Sequence, residues 1–423
     1  MQSLLILQQR EPRGVVIAMT RSHTEQLPIL IAGGGIGGAA AAIALARTGR
    51  KVEVFEQAPE MREIGAGIQM PPNAFRAFAA LGVLEPMQEV AAYPESLVLG
   101  DITTGKSIYR VPIGEEFVRR FGFRYALLHR GDILERLVSA CKGYDEITLR
   151  PGCRVSGFRD VGDRVVVELA DGTSAEGAGL IGGDGLWSVT REALVGDQPT
   201  TDGYILCRGI VPVSEISEAL YSNSVTMWGG PGIDFFHYPI RSDQVFNIGA
   251  SYRDSNIKAG SNYPVGAREA FNHQFRDACA HVKNLLEHVS MSRAWVLHHR
   301  PPIATWTKGR VTLLGDAAHP TYIYISQGAC MALEDAVVLG EMVSQHDDIR
   351  DAFRAYDKAR YLRTARIQLT SQQFGDIYHA GGVHRELRNA LLARTKPQAL
   401  YDTLGWVFGG SFQEPSMAHP GID

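Results

Sequence analysis

Three short stretches of this 423-residue chain carry residue types suited to chemistry. The first is Gly33-Gly34-Gly35-Ile36-Gly37-Gly38. Glycines at this spacing leave backbone N–H groups bare, and such groups at a helix start hold phosphate. The second is Gly315-Asp316-Ala317-Ala318-His319-Pro320, with Gln327-Gly328-Ala329 just beyond. It pairs a carboxylate with another glycine-led helix start. The third is Gly232-Ile233-Asp234-Phe235-Phe236-His237-Tyr238-Pro239. An acid, an imidazole and a phenol on one segment can move protons and orient a small ligand. Strand periodicity puts Asp234, Phe236 and Tyr238 on one face, and Phe235 and His237 on the other.

The elements that position these stretches are legible from pattern. Pro28 to Ala32 is a short apolar run ending in glycines, as expected of a buried parallel strand. Ala39 to Thr48 is alanine-rich and helical, and Gly49 ends it. Lys51 to Glu56 alternates as a second strand. The glycines thus fall at the first turn of a βαβ unit, the setting that binds a dinucleotide, with Glu56 about 20 residues on as the ribose-binding acid. Residues 66–73 read as a loop whose glycines let backbone approach a flat ligand. Tyr125 to Leu134 reads as a strand breaking into a helix at Arg130, with Asp132 as N-cap. Arg130 is then a cation suited to phosphate or ribose. Residues 164–182 read as a hairpin turning at Asp171-Gly172. Gly183-Asp184-Gly185 follows, leading from a strand into a helix. From Gly203 to Ser251 alternating strands indicate an antiparallel sheet. Val311 to Leu314 is one more buried strand, and residues 329–344 and 349–370 are helical.

The expected fold class is α/β, with a Rossmann-like dinucleotide domain discontinuous in sequence. A substrate domain on a mostly antiparallel sheet is inserted, and a helical region ends the chain. The expected divisions are an unstructured extension over 1–26 and the dinucleotide domain over 27–200, which holds some inserted segments. The substrate domain follows over 201–305, then a return over 306–345 and helices over 346–423. Residues 1–18 in particular read as an extension or the product of an upstream start codon.

Lys plus Arg is 42 against 46 for Asp plus Glu, a net charge of −4. That balance gives no support for a nucleic-acid partner. Cys141, Cys153, Cys207, Cys279 and Cys330 form no CxxC, which suits reduced thiols in the cytoplasm and no metal site. No apolar run approaches the roughly 18 residues of a membrane anchor.

Read in order, the three glycine–acid motifs resemble the single-component FAD-dependent aromatic hydroxylases, which include p-hydroxybenzoate and salicylate hydroxylases. Gly65-Ala66-Gly67-Ile68, His129-Arg130-Gly131-Asp132 and Gln327 to Met331 are similar to pieces of 3-hydroxybenzoate 6-hydroxylases and 6-hydroxynicotinate 3-monooxygenases. The resemblance implies FAD held by Gly33, Gly35, Gly37 and Gly38 at the pyrophosphate, and by Glu56 with Gln57 at the ribose. It implies Gln69 beside the flavin, Arg130 at the ribityl or phosphate region and Val155 offering backbone to adenine. Asp184 would help hold FAD and shape the NAD(P)H approach. Asp316 would bind the ribityl chain, with Gly328 and Ala329 beside the pyrimidine ring. No second nucleotide fingerprint is present, so NADH or NADPH would bind transiently. The implied reaction is hydroxylation of a phenolic, hydroxybenzoate-like ring with NAD(P)H and O2 through a flavin C4a-hydroperoxide. The resemblance leaves room for a homodimer.

Two departures mark the substrate end. Relatives commonly carry His where this chain has Asp234, while Tyr238 matches. Asp234, Tyr238, Tyr324 and His237 are the candidate catalytic groups. His237 would act only if a bulge re-aimed it, and pairing of Asp234 with Arg208 is the competing role for that acid. After His319-Pro320, Ile323 and Tyr324 replace polar groups, which implies a more apolar pocket. Hydroxylation with decarboxylation of a hydroxypyridine, an alkylated phenol, and a non-catalytic FAD-binding protein remain the alternatives.

Overall fold

The computed structural model describes residues 27–62, 66–260 and 268–412. The expected 1–26 extension and Gly65 lie outside the described residues. Five strands form a wholly parallel sheet in the order Val311–Leu313, Gly179–Gly182, Ile29–Ala32, Val52–Glu56, Ile147–Pro151. The three strands Ile29–Ala32, Gly179–Gly182 and Val311–Leu313 are buried on both faces and carry few polar residues, whereas Val52–Glu56 and the edge strand Ile147–Pro151 alternate.

The helix after the first strand spans Ile36–Ala46 and starts three residues before the expected Ala39. Gly37 and Gly38 score poorly as helix formers, yet the turn leads straight into the helix and requires them. A Cβ on Gly38 would lie 2.0 Å from the Gly33 carbonyl oxygen, and one on Gly37 would lie 2.6 Å from Leu314. The alanines of this helix allow equally close packing on the helix Gly328–Gln345. There a Cβ on Gly340 would fall 2.9 Å from that of Ala44.

Three local expectations are corrected. Residues 67–70 are not loop but a short strand, Gly67–Met70, paired antiparallel with Ala126–His129. Gly67 and Met70 are buried there, so their backbone groups need partners. Asp132 is not the N-cap of the helix Arg130–Cys141; His129 is, and Asp132 in the first turn pairs with Arg241 at 2.8 Å. The hairpin over 164–182 ends early. Ser174–Gly177 pairs back on Val165–Leu169, then the chain changes sheets and Gly179–Gly182 joins Ile29–Ala32 in parallel.

A second sheet has seven strands. Their order is Ala294–Val296, Tyr204–Pro212, Val245–Arg253, Ile233–Ile240, Ser224–Gly230, Ser96–Asp101, Ser107–Pro112. All its pairs are antiparallel except that between Ser224–Gly230 and Ser96–Asp101. Its last two strands come from far earlier in the chain. The helix Ile349–Tyr378 has 30 residues, so it spans roughly 45 Å. Its start packs near Gly179 of the parallel sheet, and its end packs under Tyr324 near the larger sheet. Helices Gly382–Leu392 and Gln398–Gly409 complete the chain's described part.

Candidate active site

One cavity of about 320 Å³ joins the two sheets. At one end it is lined by Gly35, Ile36, Gly37, Arg130, Gly183, Gly185, Gly315, Asp316, Gly328 and Ala329, and Gln69 also lines it. A Cβ on Gly35 would meet nothing within 4 Å, so its missing side chain leaves open space against the backbone. Gly33, by contrast, is needed for the turn: its φ is +101° and a Cβ there would strike the Gly183 carbonyl at 2.3 Å. The Glu56 carboxylate accepts from Gly34 N–H and Ala58 N–H, both at 2.8 Å. Those bonds fasten it to the glycine turn. Gln57 beside it is exposed. Val155 begins the strand Val155–Asp160, just after Cys153 N–H donates to the Glu56 carbonyl at 2.8 Å.

Asp184 is held by local bonds. Its carboxylate accepts from Ser188 Oγ at 2.5 Å and from Thr190 N–H at 3.2 Å, which fixes the start of the helix Val189–Leu194. The glycines on either side, rather than Asp184 itself, line the cavity.

A buried charge network lies under the Gly315-Asp316 turn. Asp335 Oδ2 accepts from Gly315 N–H at 3.0 Å and from His319 Nε2 at 2.7 Å; its Oδ1 accepts from Arg360 Nε at 2.7 Å. Burial opposes ionisation of Asp335, but His319 and Arg360 outweigh it and hold the carboxyl at about 2. Glu334 pairs with Arg360 and Arg363 and accepts from Asn73. His319 therefore orders the turn that carries Asp316. Asp316 and the helix start face each other, since a Cβ on Gly328 would lie 3.8 Å from Asp316 Oδ1. Ser326, just before that helix, is held at φ +55°, uncommon for a residue with a side chain.

The other end of the cavity is a wall of side chains. Met227, Phe236, Gly249 and Arg208 stand opposite one another on four adjacent strands. The Phe236 ring covers Gly249, where a Cβ would lie 2.1 Å from it. In the next row Tyr238 stands opposite Asn247, and Asn247 Oδ1 accepts from Gly67 N–H at 2.8 Å. That bond docks the short strand beside the dinucleotide region onto the larger sheet. The Arg208 guanidinium forms no ion pair or hydrogen bond among the described residues. Burial lowers its guanidinium, Tyr238 opposes this and Arg130 adds to it. Arginine remains charged under such pressure. Burial likewise raises the Tyr238 phenol, with Arg208 opposing. Thr321, Tyr322, Ile323 and Ser326 complete this end.

The strand Ile233–Ile240 is regular, so its two faces separate as periodicity requires. His237 lies on the face away from the cavity, accepting from Trp228 Nε1 at 3.1 Å, and burial, then His281, lowers it to about 3. It is packing against Trp228 and Phe246, not a group of the site. Asp234 is on the cavity side but one row beyond the lining, fully buried. Its partners are Ser251 and His379, not Arg208. Tyr324 is also behind the lining, packed on Tyr322 at 5.5 Å between ring centroids. Sequence patterning did not place Arg208 in the site as a cavity cation, nor His379 behind the lining as the partner of Asp234. A lone Arg between Ile205-Leu206-Cys207 and Ile210-Val211 is a signal that could have found the first. His379 has no local signal, lying 145 positions from Asp234.

These residues fit FAD. The glycine turn offers bare backbone to a pyrophosphate, Arg130 a cation, Asp316 a hydroxyl acceptor, and the helix starting at Gly328 its N–H groups. Among the described residues no helix is long and apolar enough to cross a membrane. The FAD binding domain family matches residues 26–360. A 3-hydroxybenzoate 6-hydroxylase of Polaromonas naphthalenivorans is 40% identical over 384 residues, 90% of this chain and 96% of the relative. An aurachin C monooxygenase/isomerase of Stigmatella aurantiaca is 36% identical over 83% of this chain and 89% of that one. Among solved structures, Klebsiella pneumoniae HpxO complexed with FAD and uric acid matches with a TM-score of 0.81. It is 27% identical, and the match covers 91% of this chain and 97% of that one. The chain belongs to the FAD-binding aromatic hydroxylase family.

Proposed function

We propose that this protein hydroxylates a phenolic ring bearing a carboxylate, a hydroxybenzoate-like compound, using NAD(P)H and O2. The carrying observation is one cavity that runs from the glycine cradle to an aromatic wall containing the unpaired cation Arg208. Bound FAD would supply the electron and oxygen chemistry. Gly33, Gly35, Gly37, Gly38, Glu56, Arg130 and Asp316 hold it in this reading, with Gly328 and Ala329 presenting N–H groups to the ring. Phe236, Met227 and Ile323 flank the substrate ring and exclude water. Arg208 takes the ring carboxylate, and Tyr238 offers a phenol that burial keeps protonated. Asp234 stands beyond them as proton acceptor. The apolar Ile323 favours a second reading, an alkylated phenol in the same site. The proposed divisions follow the course of the chain: 200/201 precedes its first entry after Gly182 into the larger sheet at Tyr204–Pro212, 305/306 precedes its return to the parallel sheet at Val311–Leu313, and 345/346 lies between the helices Gly328–Gln345 and Ile349–Tyr378. All five cysteines are free, which supports a cytoplasmic enzyme; a homodimer belongs to the same reading.

The test is a substrate screen on purified, FAD-loaded protein. A hydroxybenzoate should accelerate NAD(P)H oxidation and yield a ring-hydroxylated product. Yellow protein whose NAD(P)H oxidation no phenol or hydroxypyridine accelerates would sink the proposal.

A further inference from the structure

The aromatic end of the cavity has a glycine where the strand itself does not ask for one. Gly249 lies in the middle of Val245–Arg253, a strand paired on both sides. It is not among the glycines at positive φ, so its backbone is open to any residue. A glycine inside a strand loses more freedom on folding than other residues and packs no side chain. What it supplies here is space. The Phe236 ring, on the neighbouring strand, lies across it. A Cβ on Gly249 would fall 2.1, 2.5 and 2.6 Å from three atoms of that ring.

The ring has little room to yield. Tyr238, two positions on, lies nearly parallel to it, with centroids 6.1 Å apart and planes 14° apart. Asp234, two positions back on the same face, is fully buried. Met227 stands opposite on the other neighbouring strand. Phe236, Tyr238 and Met227 all line the cavity. A side chain at 249 would therefore lift the Phe236 ring off the sheet or drive it over Met227, and both moves take room from the cavity. The Tyr238 ring is seated on a glycine too, since a Cβ on Gly67 would fall 2.7 Å from it. That Cβ would also strike Asn247 at 2.6 Å, whereas the three atoms nearest one on Gly249 all belong to Phe236. Gly249 thus answers to the ring alone.

We propose that Gly249 is a positioning residue that sets the size of the aromatic acid the site accepts, by letting Phe236 lie back against the sheet. This rests on the function proposed above. Arg208 stands opposite Gly249 on the next strand, so the ring wall ends beside the cation assigned to the carboxylate. A substrate anchored at Arg208 then meets Phe236 with its ring, and the place of the Phe236 ring decides which ring substituents fit. A side chain at 249 narrows the site; a smaller one at 236 widens it.

The competing role is cover, because an aromatic ring laid over a strand glycine also stabilises a sheet. Gly249→Ala, Phe236→Leu and the double variant separate the roles. Each FAD-loaded full chain is assayed with the hydroxybenzoate that best stimulates the unmutated enzyme and with its ring-methylated analogues. The readouts are kcat, KM and the dissociation constant from the change in flavin absorbance. Gly249→Ala should raise KM for the hydroxybenzoate about tenfold, and for at least one methylated analogue about tenfold further, the worth of a methyl group or two in a closed pocket. Because binding rather than chemistry is lost, kcat at saturation and FAD content should stay within about twofold. Adding Phe236→Leu to Gly249→Ala should return KM to within about threefold of the unmutated value, as expected of two residues in direct contact. Phe236→Leu alone should shift preference toward a methylated analogue about tenfold. Equal losses for every compound in Gly249→Ala, or no recovery in the double variant, would overturn the proposal. So would a lower melting temperature with unchanged discrimination, the mark of cover alone. Should Gly249→Ala not fold, unchanged discrimination in Phe236→Leu overturns it by itself. Failure of the proposed function is seen separately, in unmutated enzyme that no phenol stimulates.

Discussion

The two ends of the cavity recognise their ligands by different means. The end on the parallel sheet is built from backbone: bare glycines, helix starts and a turn, with side chains such as Glu56, Asp335 and His319 bracing that backbone. The end on the larger sheet is built from side chains standing in cross-strand rows, Met227, Phe236 and Arg208 in one and Tyr238 in the next. A backbone site tolerates almost no added atom. A side-chain site tolerates exchange, and each exchange alters which ring fits. The charges differ as well. Under the flavin turn Asp335, Glu334, Arg360 and Arg363 are mutually paired. At the aromatic end the Arg208 guanidinium has no partner among the described residues. Paired charges hold a shape; an unpaired one in a cavity invites an anion.

Substitutions can break that contrast. The largest effect is expected from Gly38→Val, whose Cβ would fall on the Gly33 carbonyl. The turn cannot hold its form, so the purified protein should be colourless and flavin titration should find at least about a hundredfold weaker binding, of the size of backbone strain and a lost phosphate cradle together. Flavin retention at wild-type affinity would refute the backbone account. Next comes Arg208→Met, which keeps length and removes charge. KM for a carboxylated phenol should rise about 10–100-fold, the worth of a charge-assisted hydrogen bond. FAD content should be unchanged, and a phenol lacking the carboxylate should lose far less. Equal losses for both phenols would place Arg208 with the flavin instead.

The smallest effect concerns the far face of the same strand. Burial and His281 lower His237 to about 3, against an ordinary 6.5. Between those values the unfolded chain binds a proton that the folded chain does not. Stability therefore rises with pH from about 3 to 6.5 and is lost on acidification through that window, by up to ~1.4 kcal/mol per pH unit. In His237→Gln, which can still accept from Trp228, the melting temperature should fall less steeply over that range while activity near neutrality is kept. An unchanged slope would mean that His237 does not carry it, and lost activity would return it to the site.

Legibility followed the same division. The glycine turn and the βαβ unit that carries it were readable, because such a turn needs glycines at fixed local spacing between strand and helix. Strand alternation likewise separated Asp234, Phe236 and Tyr238 from His237, since period two is a local property. The short strand Gly67–Met70 was missed because four residues rich in glycine look like a loop until Ala126–His129 pairs with them. That Asp184 fastens the start of the next helix was not legible, because a glycine-flanked acid gives no sign of its local partners.

The sequence alone determined the flavin end and the class of fold, through periodicity and spacing that act within about 30 residues. Only the tertiary structure decided who meets whom at the aromatic end. Asp234 and His379 are 145 positions apart, and Arg208 stands in one row with Phe236 across an intervening strand. Such contacts depend on register and on where a 30-residue helix ends. Neither leaves a mark on the residues nearby in sequence, because both are set by how separate elements pack rather than by the preferences of any one of them.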